Sequence, residues 1–369
     1  MKKIIIVAGA RPNFMKIAPV LRELRSNYSK GVTPILVHTG QHYDDNMSGS
    51  FFDSLGIRAP DHNLEVGSGT HADQTARIMT TFEDVCETEH PDTVVVVGDV
   101  NSTVAAGLVA KKLHIELAHI EAGLRSGDRT MPEEINRLAT DAITDHFFVT
   151  EPHGLENLRR EGHPEEAIHY VGHVMIDNLL FQKDRLARLG PSPRAADLAA
   201  GLPEQYACLT LHRPSNVDSA EVLGRLVDTL TDIARDLPIV FPCHPRTRGK
   251  LETFGLLDRL NAAITITEPL GYDDFLYLWQ SSTMVLTDSG GLQEETTALG
   301  IPCITLRENT ERPVTVDVGT NTLVGSDPVA IRGAVDAVLN GSGRVGRIPE
   351  LWDGKASERI CRILVEGAQ

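Results

Sequence analysis

The tightest constraint on what this chain folds into is a rhythm. Short apolar runs bounded by Gly, Pro, Asp or His recur at Lys3–Val7, Pro34–His38, Thr93–Val97, Glu116–Ile120, Asp145–Val149 and Ile168–Val171. Each is followed by a segment with apolar residues at helical spacing, such as Ile17, Leu21 and Leu24, or Val104, Leu108 and Leu113. Short strands alternating with helices make βαβ units, whose parallel sheet is buried on both faces and therefore needs unbroken apolar strands. The pattern then repeats at Ala207–Leu211, Pro238–Pro242, Ala263–Thr267, Thr283–Thr287, Pro302–Leu306 and Thr322–Val324. An α/β chain of two doubly wound halves is the economical reading. Gly172–Pro193, helical in part and ending in GPSPRAAD, reads as the connection, giving expected domains of 1–170 and 171–354. The last helix, about 355–369, fits either half and is free to pack back on the first.

Charge and composition narrow the function. With 35 Lys and Arg against 51 Asp and Glu, the net charge of −16 argues against a nucleic-acid partner, since neutralising phosphates needs a basic face. No stretch approaches the roughly 20 apolar residues of a membrane span, so no membrane association is expected. The opening MKKIIIVAGARP reads as a strand, because its apolar run is shorter than the roughly 7–15 residues of a signal-peptide core. Five scattered cysteines without CxxC spacing suit reduced thiols and a cytoplasmic protein better than disulfides or zinc. No histidine or carboxylate cluster has metal-ligand spacing.

In open parallel sheets, ligands lie beyond the carboxyl ends of the strands, so chemistry is sought just after each run. GARPNFMK places Arg11 and Lys16 where a loop enters a helix, a setting that favours an anion. GDVNST carries Asp99 and EAGLRSGD carries Glu121, two strand-end carboxylates suited to acid and base work. Asp99 reads equally well as a helix N-cap. In TMPEEINR, Thr130 with Glu133 fits a capping box and Glu133 with Arg137 an i, i+4 ion pair, yet Glu133 is also a third closely following carboxylate. HRPSN offers His212 and Arg213, and PCHPRTRGK offers His244, Arg246 and Arg248; a strand-end histidine is either an acid–base group or a loop residue without a task. LTDSGGLQEE opens a helix with Ser289, Gly290 and Gly291, a phosphate cradle in physical terms, although Asp288 or Ser289 would cap that helix anyway. Glu295 lies one turn further, and ENTERP supplies Arg312.

Taken together and in order, GARPNFMK, TGQHY, GDVNST, EAGLRSGD, PEEINR, HRPSN, LTDSGGLQEE and TERP resemble the non-hydrolysing UDP-N-acetylglucosamine 2-epimerases. The resemblance runs from about Gly9 to Gly325. It implies a GT-B arrangement, two doubly wound Rossmann-like domains with a cleft between them, the second binding UDP. It also implies interconversion of UDP-N-acetylglucosamine and UDP-N-acetylmannosamine through UDP elimination to 2-acetamidoglucal, with neither nicotinamide nor metal, in a homodimer serving polysaccharide biosynthesis. By position in matching motifs, Asp99, Glu121, Glu133 and His212 correspond to catalytic groups. Arg11, Lys16, Arg137 and Arg312 correspond to cations around the nucleotide sugar, Ser289, Gly290 and Gly291 to the phosphate loop, Glu295 to the ribose contact, and Phe275 to the position near uracil.

The chain also departs from the family. His212-Arg213-Pro214-Ser215 stands where many members read HRRE, and VGSGTHADQ replaces the stretch associated with activation by a second UDP-N-acetylglucosamine. Gln41, His42, Arg213 and His244 remain as candidate contacts for such an activator. Two other readings stay open: a 2-epimerase of a related UDP-sugar such as a diacetamido-glucuronate, and a non-catalytic UDP-sugar-binding protein.

Overall fold

The computed structural model describes residues 1–40 and 49–367, so Gln41 and His42 lie outside the described residues. The chain divides into two compact units, Met1–Asn178 with Glu350–Gln369, and Leu179–Pro349. The division falls inside one helix, Val174–Leu189, within the segment expected to connect the halves.

The first unit is built on seven strands, β1 (Lys2–Ala8), β2 (Val32–His38), β3 (His62–Asn63), β4 (Thr93–Val97), β5 (Glu116–Ile120), β6 (His146–Val149) and β7 (Ile168–Tyr170). They lie in the order β3-β2-β1-β4-β5-β6-β7, with every pairing parallel. Strand β1 shows why its run from Ile4 to Ala8 is apolar. Ile4 and Ile6 enter a core with Phe14, Ile17 and Leu21 of the helix Arg11–Asn27, while Ile5 and Val7 enter another with Phe82, Val85 and Val109 of the helices behind the opposite face. Each fully buried isoleucine contributes roughly 1.5–3 kcal/mol relative to exposure. The two-residue β3 was not foreseen, having no apolar run to read.

The terminal helix Ala356–Glu366 belongs to this unit, sending Ile360, Cys361 and Leu364 into the core of the Arg11–Asn27 helix. Its start is held by Asp177, whose carboxylate accepts hydrogen bonds from the Ala356 and Ser357 backbone N–H groups (3.1 and 2.7 Å) and from the Ser357 hydroxyl (2.7 Å). A buried acid here satisfies two of the orphan donors that every helix start presents.

The second unit has six strands, β8 (Ala207–Thr210), β9 (Ile239–Pro242), β10 (Thr265–Thr267), β11 (Met284–Thr287), β12 (Cys303–Thr305) and β13 (Asn321–Leu323). Their order is β10-β9-β8-β11-β12-β13, again parallel. Both sheets therefore reverse direction of growth once, between β1 and β4 and between β8 and β11. At such a switch the loops leave to opposite sides and open a crevice at the carboxyl ends of the strands. Among the described residues no helix is long and apolar enough to cross a membrane.

Candidate active site

In the first unit, the loops after β1, β4 and β5 converge around the switch. Asn13, at the start of the first helix, turns its side-chain oxygen back to the Gly9 and Ala10 N–H groups (3.2 and 2.9 Å), shaping the β1 loop. One turn on, the Lys16 ammonium lies 2.5 Å from a carboxylate oxygen of Glu121, whose side chain is only 3% exposed. Glu121 holds φ +68°, unusual for a side-chain-bearing residue and a mark of a constrained site. Asp99 is not the helix cap that its position allows. The helix Asn101–Lys112 is capped by Val100, and the Asp99 carboxylate instead receives the Arg137 guanidinium at 3.0 and 2.6 Å. Gly98, just before it, has φ +68°, and a Cβ there would stand 3.5 Å from Glu121 Oε2 and 3.6 Å from Lys16 Nζ. Each carboxylate thus has a cation of its own, and the two strand ends press together.

The helix Pro132–Asp141 completes this cluster in a way that local spacing did not foretell. Its N-cap is Met131, and Thr130 donates to Asp128, so the Thr130–Glu133 capping box does not form. Neither does the Glu133–Arg137 pair. Glu134 takes its place, binding Arg137 Nη1 at 2.8 Å and accepting the Ser126 and Gly127 N–H groups at 2.9 and 3.0 Å. Burial works against the Glu134 anion, but those donors and Arg137 outweigh it and hold its carboxyl below the usual range. Glu133 is half-buried on the first turn and makes no side-chain hydrogen bond or ion pair among the described residues. Arg11 is exposed, its guanidinium 5.0 Å from the Phe51 ring.

Gly123 shows how tightly the β5 loop is packed. It has φ +79°, and a Cβ would stand 2.4 Å from the Gly154 carbonyl oxygen. A left-handed alanine alone costs roughly 1–2 kcal/mol, and here backbone must also move. Gly123→Ala is expected to lower stability by at least ~2 kcal/mol in urea titration and to depress turnover with it; an unchanged midpoint would contradict this packing.

In the second unit, the loops after β8 and β11 meet on one buried acid. Asp288 is fully buried and accepts from the His212 N–H (2.9 Å), the Arg213 N–H (2.8 Å) and Asn216 Nδ2 (3.2 Å), while His212 Nδ1 lies 3.0 Å from its other oxygen. Burial opposes ionisation, yet the His212 ring and these donors more than compensate, so the carboxyl sits below its ordinary range. Asp288 therefore orients His212, whose side chain is 46% exposed, instead of capping the helix Gly290–Leu299. Ser289 is the cap residue of that helix, its own N–H donated to Thr287 Oγ1. A Cβ at Gly290 would lie 3.9 Å from Arg213 and 4.0 Å from Arg307, so two guanidiniums approach this helix start. Helix start and arginines together are suited to a phosphate. Arg307 also pairs with Glu311 (3.2 Å).

Elsewhere in this unit, Glu295 is buried and accepts the Tyr272 hydroxyl at 2.7 Å; burial first, then Glu295, raises the Tyr272 pKa strongly. Arg312 Nε lies 2.6 Å from Glu294. Phe275 is half-buried on the helix Tyr272–Trp279, and Gly291 is exposed. His244 caps the helix Pro245–Thr253, accepting the Arg246 N–H, while Arg246 and Arg248 form surface pairs with Asp218 and Glu268. Sequence reasoning passed over Arg307, Glu134 and Asp288 as working residues. Asp288 could be read only as a possible helix cap, and nothing in local spacing singled out Glu134 or Arg307.

Two doubly wound parallel units with charged and glycine-bearing loops at their strand ends belong to a GT-B-type protein. Comparison carries this further. The family model described as UDP-N-acetylglucosamine 2-epimerase matches residues 24–365. A UDP-N-acetylglucosamine 2-epimerase of Methanocaldococcus jannaschii is 44% identical over 369 residues, 99% of each chain. A UDP-2,3-diacetamido-2,3-dideoxy-D-glucuronate 2-epimerase of Pseudomonas aeruginosa is 40% identical over 373 aligned positions, again 99% of each. The crystal structure of the M. jannaschii enzyme in complex with UDP-GlcNAc and UDP matches over 100% of both chains with a TM-score of 0.82 and 42% identity. The chain belongs to the UDP-N-acetylglucosamine 2-epimerase family.

Proposed function

We propose that this protein is an isomerase that interconverts UDP-N-acetylglucosamine and UDP-N-acetylmannosamine. The observation that carries the reading is the pair of strand-end carboxylates, Asp99 and Glu121, each held beside its own cation at one switch point. Inverting C2 requires a proton to leave one face and return to the other, which calls for two groups. In the elimination, a carboxylate takes the C2 proton, the freed electron pair forms the C1=C2 double bond, and the C1–O bond breaks to release UDP. UDP then adds back to 2-acetamidoglucal with a proton delivered to the opposite face. No electrons leave the substrate, so the route calls for no nicotinamide.

Asp99 and Glu121 are assigned to proton transfer, with Glu133 as a third carboxylate and His212, aligned by Asp288, as acid–base partner of the departing diphosphate. Arg11, Lys16, Arg137 and Arg312 offset developing negative charge, an effect worth several kcal/mol where donors are pre-positioned. The helix start at Ser289, Gly290 and Gly291 with Arg213 and Arg307 takes the diphosphate, Glu295 the ribose and Phe275 the uracil. His244, already occupied as a helix cap, and Arg213 are the described candidates for contact with a second nucleotide sugar. A cytoplasmic setting is in keeping with five free, buried cysteines, and a homodimer is what the family resemblance implies.

Incubation with UDP-N-acetylglucosamine in deuterated water is expected to give C2 deuteration and the manno epimer by NMR. The 40% identical P. aeruginosa relative makes a diacetamido-glucuronate the alternative substrate; exchange with that sugar alone would replace the reading.

A further inference from the structure

One buried group in the first unit has no part in the chemistry above, yet is tied to both loops that carry it, to the one after β4 directly and to the one after β5 through Asp141. His119, the fourth residue of β5, is fully buried. Its Nδ1 lies 2.7 Å from Asp141 Oδ1, and its Nε2 lies 2.8 Å from the carbonyl oxygen of Gly98. A carbonyl only accepts. Asp141 also only accepts here: its second oxygen receives the Gly123 N–H (3.0 Å) and the Arg125 guanidinium (2.7 Å), both of which stabilise the carboxylate form. Both ring nitrogens therefore face acceptors, and both must carry hydrogen. Arg125 in turn pairs with Glu161 at 2.6 Å, so the charges alternate across the cluster: His119, Asp141, Arg125, Glu161.

We infer that His119 is a positioning residue: held as an imidazolium between Asp141 and the Gly98 carbonyl, it locks the loop after β4 to the loop after β5 and so sets the spacing of Asp99 and Glu121. The link to turnover rests on the epimerase reading; the protonation of the ring does not. Gly98 immediately precedes Asp99, and Gly123 follows two residues after Glu121, so the one ring governs where both carboxylates start. The imidazole is not itself a proton-transfer group, since both its nitrogens are engaged inside the fold.

Two variants separate its two bonds. His119→Asn places an amide near the Nδ1 position, keeping Asp141 and losing Gly98; His119→Gln reaches the Nε2 position, keeping Gly98 and losing Asp141. A displacement of about 1 Å at a reacting group costs on the order of 100-fold in rate. His119→Asn is expected to lower kcat by about that factor with KM and UDP affinity within about threefold, and His119→Gln to recover roughly tenfold of the loss. A kcat for His119→Asn within threefold of wild type overturns the proposal, as does a loss in both variants that merely follows the folded fraction measured by circular dichroism.

Should both variants fail to fold, nitrogen-15 NMR of histidine-labelled wild-type protein decides. Two slowly exchanging ring N–H signals from the residue next to Gly98 are expected at neutral pH; one N–H overturns the clamp. Wild-type protein that shows both signals but no C2 exchange with any UDP-sugar would sink the epimerase reading and leave the clamp standing.

Discussion

Glu121→Gln is expected to lower kcat for epimerisation by about 10³-fold, within the range that a positioned acid or base contributes, while leaving UDP affinity within about twofold. The substitution keeps the shape of the side chain and an oxygen able to accept from Lys16, but removes the group that takes and returns a proton. The strained φ of +68° is inherited by Gln at no greater cost than by Glu, so the fold should survive. A 10³-fold loss corresponds to about 4 kcal/mol of transition-state stabilisation. Initial rates of C2 deuteration and calorimetric titration with UDP would measure the two quantities separately. Turnover within tenfold of wild type would remove Glu121 from the proton chemistry and leave Asp99 as the principal candidate.

Asp288→Ala is expected to produce the largest loss of stability at the site. It strips the acceptor from the His212 and Arg213 N–H groups and from Asn216, and leaving such buried donors unmatched costs roughly 1–3 kcal/mol each. Some solvent will enter beside the half-exposed His212, so about 3 kcal/mol in total is the expected loss at neutral pH. For a unit of this size that lowers Tm by about 6–12 °C.

The pH dependence has a definite sign. The Asp288 carboxyl has a depressed pKa in the fold, so its stabilisation is fully present above the unfolded value of about 3.9 and is lost as pH falls through the lower folded value. The gap between wild type and Asp288→Ala should therefore be constant from neutral pH down to about 5 and narrow progressively below 4. A gap that widened in acid, measured by urea titration across that range, would show that the acid is not held as an anion by its neighbours.

Much of this architecture could be read from unbroken apolar runs, because a strand covered on both faces tolerates no polar alternation. Ile4, Ile5 and Ile6 in β1 show the reason directly, since they feed cores on opposite sides of one sheet. The strand ends were equally legible: Asp99, Glu121, His212 and Ser289 each follow a run, and the fold brings them to switch points. Short β3, with two residues and no apolar run, was invisible to that logic.

Partner choice was not legible. Arg137 with Glu133 satisfied the i, i+4 rule, worth only a few tenths of a kcal/mol on a solvated helix face. The fold offers it Asp99 across 38 residues and Glu134 on its own helix, the first partly and the second almost wholly shielded from water. Similarly, Asp288 had the right place to cap a helix, and tertiary structure assigns it to the β8 loop instead.

Periodicity and local turn chemistry are properties of neighbours along the chain, and they suffice to place the two parallel sheets, the charged and glycine-bearing strand ends and the family to which those motifs point. Which acid holds which cation, which aspartate orients His212 and where His119 reaches are settled by folding. Those pairings join residues far apart in sequence, and burial, which makes an unmatched charge or donor costly, selects among them only once the chain is folded.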